Sequence, residues 1–170
     1  YEADGLFQND AEIQNYKNDR GELLQPNAKP GDIRFKDLNG DGVINSDDRD
    51  FKGNPLPDCS MGLTLGFNYK NFDVSAFFQG VFGNEVYNLT NYLGEFYNQA
   101  QYNKNSTILD AWRPDNTDTD IPRVTLDDPN NNIRPSTYYI HNASFVRLKN
   151  LKVGYTLPDK VASKLKLKRT

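Results

Sequence analysis

One segment of this sequence has the residue types and the spacing of a calcium-binding loop. Over the twelve positions from Asp37 to Asp48, side-chain oxygens fall at positions 1, 3, 5 and 12, a glycine stands at position 6, and position 7 offers a main-chain carbonyl. This is the ligand order of an EF-hand loop, in which the glycine permits a sharp turn. The sequence therefore predicts a structural Ca2+ site whose ligands are Asp37, Asn39, Asp41, the carbonyl of Val43, and Asp48.

The residues around this loop are not those of a complete EF-hand. Ile33–Phe35 before it is typical of a strand and 49–53 after it is typical of a turn, so flanking helices are not expected. Aspartate stands at the last position, where glutamate is usual, and this gives a shorter ligand. A second interpretation stays open, in which the loop is an acidic turn whose side chains accept hydrogen bonds from backbone amides and hold no metal.

Few residues are suited to catalysis or to nucleic-acid binding. The chain has one histidine, His141, and one cysteine, Cys59, so multi-histidine metal centres and internal disulfides are excluded, and neither residue lies in a nucleophile motif. The 20 basic and 23 acidic residues give a net charge of -3, which provides no basic field for phosphates. We therefore expect neither an enzyme nor a nucleic-acid-binding protein.

Two adjacent stretches alternate apolar and polar residues with a period of two. Cys59–Tyr69 and Phe72–Phe82 are joined by two residues, which predicts a β-hairpin, although Phe77 and Val81 fall on its polar face. Strands of about 11 residues match the length that crosses the hydrocarbon layer. A transmembrane hairpin over 59–82 and a hairpin of a soluble β-sandwich are equally good interpretations of these two strands alone.

The hairpin is preceded and followed by long polar regions. Residues 1–58 are predicted as a loop region that contains the calcium-type loop and a short helix over Asp10–Tyr16 with Asp10 as its cap. Residues 83–142 are predicted as a long loop with helical pieces around 93–97 and 106–112. A loop of this length usually has a function of its own.

Residues 143–170 are predicted to add further strands and a turn. Extended character returns at 143–157, but Arg147 and Lys149 share parity with the apolar residues, which predicts either a β-bulge there or emergence of the strand into the polar headgroup zone. Pro158–Asp159 is predicted to cap a short turn or a helical piece, and 165–168 begins another alternating strand.

The connections differ greatly in length on the two sides of these strands. A two-residue turn on one side and a loop of some sixty residues on the other is the asymmetry of outer-membrane barrels, which have short periplasmic turns and long extracellular loops. An open sheet could not persist in lipid because its edge groups would lack partners. We therefore predict an all-β fold: antiparallel strands of a transmembrane β-barrel, as a partial barrel fragment with long extracellular loops.

Aromatic residues in the long loop are a second candidate for ligand binding. Their flat faces could contact sugar rings, although aromatic residues in such loops more often pack the loop on itself. They are Trp112, Tyr87, Tyr92, Tyr97, Tyr102, Tyr138 and Tyr139.

Four stretches resemble those of a known family. They are similar to segments of the SusC/RagA-type TonB-linked outer-membrane transporters: Lys29–Ile44, Gly53–Asp58, Ala111–Arg123, and Ser144–Asn150 together with Gly154–Pro158. The resemblance covers nearly the whole chain and is specific.

The resemblance implies the function of a nutrient importer. It implies a late, C-terminal-region portion of the β-barrel of a TonB-dependent receptor in the cell outer membrane, surrounded by lipid. It also implies uptake of oligosaccharides or peptides, a SusD-like lipoprotein partner, and TonB acting through an N-terminal part. The family supplies no catalytic residues.

The alternative function is a soluble β-domain that contains the calcium loop and binds carbohydrate. The two classes differ in where the apolar face of Cys59–Tyr69 lies. In the transporter it contacts lipid, whereas in the soluble domain it is sealed inside a core.

Overall fold

The structure is a computed structural model, and it describes residues 1–96 and 103–164. Strands and helices alternate with short 3-10 turns along these residues. The strands are β1 (Ala3–Leu6), β2 (Ile33–Phe35), β3 (Cys59–Tyr69), β4 (Phe72–Phe82), β5 (Glu85–Tyr87), β6 (Ile140–Asn142) and β7 (Phe145–Tyr155). The helices are α1 (Asp10–Asn15), α2 (Leu89–Gly94) and α3 (Asp159–Lys164), and the 3-10 turns are Ser46–Asp48, Ser106–Asp110 and Thr137–Tyr139.

The chain divides into two compact units. The first unit joins Tyr1–Gly53 to Val86–His141, and the second joins Asn54–Glu85 to the described residues from Asn142 onward. Strands β1 and β2 pair antiparallel in the first unit, and β5 pairs with β6 in a separate two-stranded sheet.

The second unit is built on a three-stranded antiparallel sheet in the order β3–β4–β7. The predicted hairpin is confirmed, with Tyr69 opposite Phe72 across the turn. Lys70 has a φ of 52°, the left-handed conformation that a two-residue hairpin turn requires. Over the described residues the three strands do not close into a barrel.

One face of this sheet is apolar across all three strands. Leu65 lies opposite Ala76, and Ala76 lies opposite Leu151, so the three alternating rows share one side. The face is open to the surroundings, since Leu65 is 54% exposed and Val153 is 67% exposed. It consists of Met61, Leu63, Leu65, Phe67, Tyr69, Phe72, Val74, Ala76, Phe78, Val146, Leu148, Leu151, Val153 and Tyr155.

A β-bulge at Lys149 keeps this face continuous. Phe77 pairs with Asn150 and Phe78 with Leu148, so Lys149 is the extra residue and the parity of β7 changes there. Of the two interpretations of these misplaced cations, the bulge is confirmed. It moves Arg147 to the polar face, where its guanidinium donates to the Gln79 side-chain oxygen at 3.1 Å.

The first unit has its own core, formed by residues far apart in the sequence. Ring and aliphatic side chains of the early residues pack against those of the long loop region. The buried members are Leu6, Ile33, Phe35, Phe96, Trp112 and Tyr139. A second, smaller cluster is made of Phe7, Ile13 and Ala28.

The predicted short helix is present as α1, but the predicted cap is wrong. Asn9, not Asp10, is the N-cap, and its side-chain oxygen accepts a hydrogen bond of 3.0 Å from the Glu12 amide. The Glu12 carboxylate in turn accepts the Gln8 amide at 2.9 Å. Asparagine is as good an N-cap residue as aspartate. The hydrogen bond from the Gln8 amide to the Glu12 carboxylate further fixes the N-cap of the helix one residue earlier than predicted.

The other short elements differ from the predicted boundaries. The piece expected at 93–97 begins earlier, as α2, because the Asn88 side chain caps it by accepting the Asn91 amide at 3.1 Å. The piece expected at 106–112 is the 3-10 turn Ser106–Asp110. Helix α3 follows Pro158 as predicted, while the strand expected at 165–168 lies outside the described residues.

No helix among residues 1–96 and 103–164 combines the length and the apolar character needed to cross a membrane.

Candidate functional site

The calcium-type loop is organised by its own side chains. The Asp37 carboxylate accepts the amides of Gly40 at 2.7 Å and Gly42 at 2.8 Å. The Asn39 side chain accepts the Asp41 amide, and Asp41 accepts the Val43 amide, both at 2.9 Å. The residues at positions 1, 3 and 5 therefore form successive turns in which side-chain oxygens bind backbone amides.

Asp48 closes the loop from the other end. Its side chain is fully buried, and its two oxygens accept the Leu38 amide at 2.7 Å and the Asn45 amide at 2.8 Å. Asn45 reciprocates as the N-cap of the 3-10 turn that contains Asp48. Asp48 thus joins the first and last parts of the loop.

The Asp41 carboxylate accepts hydrogen bonds from three other residues of the loop. Besides the Val43 amide, its carboxylate accepts the side-chain amides of Asn39 at 3.0 Å and Asn45 at 3.2 Å. These hydrogen bonds, that from Val43 above all, hold the pKa of Asp41 below its ordinary value. Asp41 is therefore kept as an anion at the exposed side of the loop.

The predicted metal ligands thus lie in one loop, on its exposed side and in its interior. Asp37, Asn39 and Asp41 line its exposed turn, Val43 offers its carbonyl to the Asn45 side chain at 3.4 Å, and Asp48 binds amides in the interior. Within the described residues, no group of three or more His, Cys, Asp or Glu side chains is arranged to hold a metal ion. The calcium site stays a prediction from the spacing.

A buried ion pair beside the loop was not predicted from the sequence. Asp32 is fully buried, and the Arg123 guanidinium donates to its two oxygens at 2.6 and 3.2 Å. The Asn132 side chain and the Lys29 amide complete the set, at 2.9 and 2.8 Å. Every charge-bearing oxygen of Asp32 therefore has two donors.

Side-chain amides take the place of a neighbouring strand along β2. The Gln25 side chain accepts the Phe35 amide at 2.7 Å and donates to the Ile33 carbonyl at 2.9 Å. The Asn132 side chain accepts the Ile33 amide at 2.9 Å, and Asn130 also donates to the Ile33 carbonyl. This edge of β2 is thus satisfied in the interior without a third strand.

Gly31 lies where two of the four family-like stretches are in contact. Gly31 has a φ of +87°, and a Cβ built on it would lie 2.5 Å from a Trp112 ring carbon and 2.8 Å from the Arg123 Cβ. Its carbonyl accepts the Arg123 amide at 2.9 Å. The family-like stretch Lys29–Ile44 therefore packs against the family-like stretch Ala111–Arg123.

The loop aromatics mainly pack the loop region. Trp112 and Tyr139 are buried in the core, and the Trp112 ring nitrogen donates to the Gln8 side chain at 2.9 Å. Tyr138 donates to the Glu95 carboxylate at 2.7 Å, and burial raises the pKa of both Tyr138 and Tyr139. Tyr97 and Tyr102 lie outside the described residues.

A surface carboxylate gives the first unit a pH-dependent contact. Glu2 accepts Lys36 at 2.6 Å and Lys52 at 3.0 Å, and these hydrogen bonds lower the pKa of Glu2 to about 2. Because the folded pKa lies below the value of about 4.3 for a free glutamate, the contribution to stability is present above pH ~4.3 and is lost as the pH falls toward ~2.

We expect Glu2→Gln to remove this part of the pH dependence of the unfolding free energy, since the amide does not titrate. Urea unfolding in detergent micelles, followed by Trp112 fluorescence at several pH values, measures it, with the exposed acid Asp118 changed to Asn as the control. A Glu2 carboxyl that titrates near 4 in the folded chain by NMR would show that the two lysines do not act in this way.

No protein-family model matches the chain. Curated proteins with sequence similarity to the chain were found. TonB-dependent receptor P3 of Formosa agariphila is 40% identical over 141 residues, which is 83% of this chain and 13% of the relative. TonB-dependent receptor SusC of Bacteroides thetaiotaomicron is 32% identical over 138 residues, covering 81% of this chain and 13% of SusC.

A solved structure is similar over almost the whole chain. The structure of the RagAB peptide importer in the closed-closed state superposes with a TM-score of 0.60 and 26% identity, covering 95% of this chain and 16% of that chain. The curated relatives are receptors, not enzymes. In this chain, the described strands β3, β4 and β7 form an antiparallel sheet.

The matches define the family of proteins to which the chain belongs. The chain belongs to the TonB-dependent receptors, in the group that includes SusC. It spans 13% of the length of the curated relatives that it matches.

Proposed function

We propose that the chain is part of the barrel wall of an outer-membrane nutrient importer. Strands β3, β4 and β7 cross the membrane, and their apolar face contacts lipid. The observation that carries this proposal is the exposure of that face: Met61, Leu63 and Leu65 are each more than half exposed, as are Leu151 and Val153.

The hydrophobic effect makes such a face costly in water. Burial of apolar surface is worth roughly 25 cal/mol per Å2, and soluble monomers rarely expose a contiguous apolar patch of more than a few hundred Å2. Rows of leucine, valine and aromatic side chains on three adjacent strands must be shielded from water. Lipid tails cover such a row without any further protein layer.

The edges of the sheet support the same placement. Among the described residues, β3 pairs only with β4, and β7 pairs only with β4. In lipid the free N-H and C=O groups of β3 and β7 require partners, and neighbouring strands of a closed barrel supply them. The soluble carbohydrate-binding alternative lacks a described layer that would cover the apolar face.

The partners and cargo follow from the relatives as part of this proposal. The chain acts with a SusD-like lipoprotein, is energised through TonB, and takes part in the uptake of an oligosaccharide or a peptide. SusC among the relatives, and the RagAB peptide importer among the similar structures, support this assignment.

The detergent requirement tests the proposal. We expect the chain to aggregate in water and to become monodisperse in detergent micelles, because the apolar face of β3 then finds a hydrocarbon cover. Analytical ultracentrifugation in both media measures this. A monodisperse chain in detergent-free water would rule out the membrane placement.

We also propose that the loop from Asp37 to Asp48 binds Ca2+ and so stiffens an exposed loop. The three carboxylates supply hard oxygen ligands, and Asp41 is held as an anion. Ca2+ would be bound by Asp37, Asn39, Asp41, the Val43 carbonyl and Asp48.

We expect Ca2+ to raise the unfolding temperature of the chain and EDTA to reverse the change. Asp41→Ala should abolish both the calorimetric heat of Ca2+ binding and the thermal shift, because it removes a central ligand, whereas Asp118→Ala should leave both intact. If the unchanged chain gives neither heat nor shift, the loop is an acidic turn without a metal.

A further inference from the structure

Asn39 and Gly40 form the one Asn–Gly pair of the sequence, on the exposed side of the calcium-type loop. An asparagine side chain before a glycine is chemically labile in water, because glycine has no Cβ to keep its main-chain nitrogen away from that side chain. Both residues are exposed, so water and small bases reach them. In an unstructured chain, this side-chain amide would therefore be lost by deamidation.

Deamidation of Asn39 would exchange its side-chain amide for an acid in two steps. The Gly40 main-chain nitrogen gives its proton to a base and attacks the Asn39 side-chain carbon, which releases ammonia and leaves a cyclic imide. The ammonia takes up the proton that the nitrogen lost. Water then adds to one of the two imide carbonyls and breaks its bond to the Gly40 nitrogen, which gives aspartate or isoaspartate. The first step needs a free Gly40 nitrogen and an Asn39 side chain that can turn toward it.

The closed loop opposes both requirements. The Gly40 amide donates to the Asp37 carboxylate at 2.7 Å, and this nearby negative charge disfavours a second negative charge on the Gly40 nitrogen. The Asn39 side-chain oxygen accepts the Asp41 amide at 2.9 Å, and the Asn39 side-chain nitrogen donates to the Asp41 carboxylate at 3.0 Å. The Asn39 side chain therefore has to break two hydrogen bonds before it can react.

We propose that Asn39 is a deamidation site that the closed loop protects, and that it reacts from the opened loop. Asp37 protects the attacking nitrogen, and Asp41 holds the side chain that would be attacked. The proposal goes beyond the transport function and does not require Ca2+, because the hydrogen bonds are made by protein groups alone. In the isoaspartate product the main chain between Asp37 and Asp41 is longer by a carbon atom, so the spacing on which the turns of the loop depend is lost.

Incubation of the full-length receptor in detergent micelles and mildly alkaline buffer with EDTA tests this. A synthetic peptide with the sequence of residues 34–46 is the unstructured reference. Peptide mass spectrometry measures the exchange of amide for acid at Asn39, and an isoaspartate methyltransferase labels the isoaspartate product. We expect Asn39 to react at least about tenfold more slowly in the receptor than in the peptide, the ratio that a local opening of about 1.4 kcal/mol produces.

Asp37→Ala should raise the rate in the receptor toward that of the peptide, because the Gly40 amide loses its acceptor. Asp37→Asn, which keeps an acceptor oxygen, should stay closer to the unchanged receptor. Asp47→Ala is the matched control and should leave the rate unchanged, since Asp47 is an exposed acid of the same loop whose carboxylate does not hold Asn39 or Gly40.

A receptor in which Asn39 reacts as fast as in the peptide would overturn the proposal, whether or not the variants fold. Equal rates for the unchanged receptor and Asp37→Ala would also overturn it, because Asp37 would then not protect the Gly40 nitrogen. Neither result depends on lipid contact or on Ca2+, which EDTA removes, so both are separable from a failure of the proposed function.

Discussion

Asp32→Ala is expected to destabilise the first unit by about 3–5 kcal/mol, the usual cost of breaking a buried ion pair by removing one partner. The substitution leaves the Arg123 guanidinium, the Asn132 side chain and the Lys29 amide without their acceptor. Because Asn132 also holds the edge of β2, the loss extends into the core. Urea unfolding in detergent micelles, followed by the fluorescence of Trp112, measures the change.

Asp118→Ala is the matched control for this experiment, since Asp118 is an exposed acid of the same unit. It should change the unfolding free energy by no more than about 0.5 kcal/mol. Equal effects of the two substitutions would mean that the Asp32 network does not hold the unit together.

Gly31→Ala is expected to have an effect of similar size. A left-handed backbone costs a residue with a Cβ about 1–3 kcal/mol, and overpacking adds about 1–3 kcal/mol. Both costs apply here, because φ is +87° and the new methyl group would press on Trp112 and Arg123. We expect the unfolding midpoint to fall and the Trp112 emission to shift as the ring is displaced.

Gly21→Ala separates the two causes. Gly21 has a similar φ of +81°, but a Cβ there would meet nothing within 4 Å. Its cost should therefore be that of the backbone alone. If Gly31→Ala were no worse than Gly21→Ala, the contact with Trp112 would not be as close as described.

The hairpin and the bulge were predictable from the sequence because a strand has a strict period of two. The alternation from Cys59 to Phe82 defines which side chains share a face, and the misplaced Arg147 and Lys149 require a change of parity between β7 and the rest. The local sequence pattern is therefore sufficient to predict both the hairpin and the bulge.

The network around Asp32 was not predictable because its partners are distant in sequence. Asp32 and Arg123 are separated by 91 residues, and no periodic pattern connects them. Asn130 and Asn132 occur in an Asn-rich loop, where nothing in the sequence distinguishes a side chain that replaces a strand from one that faces water. The resemblance to a family covered the stretches that contain Asp32 and Arg123, but it did not give their contacts.

The calcium-type loop lies between these two cases. Its turn geometry follows from the spacing, since Asp37, Asn39 and Asp41 bind the amides that the spacing places within reach. Metal binding does not follow in the same way, because the same side chains that would bind Ca2+ also stabilise the turn without it.

The central claim is that the apolar face of the sheet touches lipid, and collision measurements on spin labels test it most directly. Single cysteines would be placed through β7 of the full-length receptor in liposomes, in a Cys59→Ser background because Cys59 is free and exposed. We expect oxygen dissolved in the lipid to reach labels at Val146, Leu148, Leu151 and Val153, but not at Arg147, Asn150 or Lys152, so that the alternation changes phase at Lys149. Labels that show no alternation, or that are oxygen-accessible at Arg147 and Lys152 instead, would contradict it.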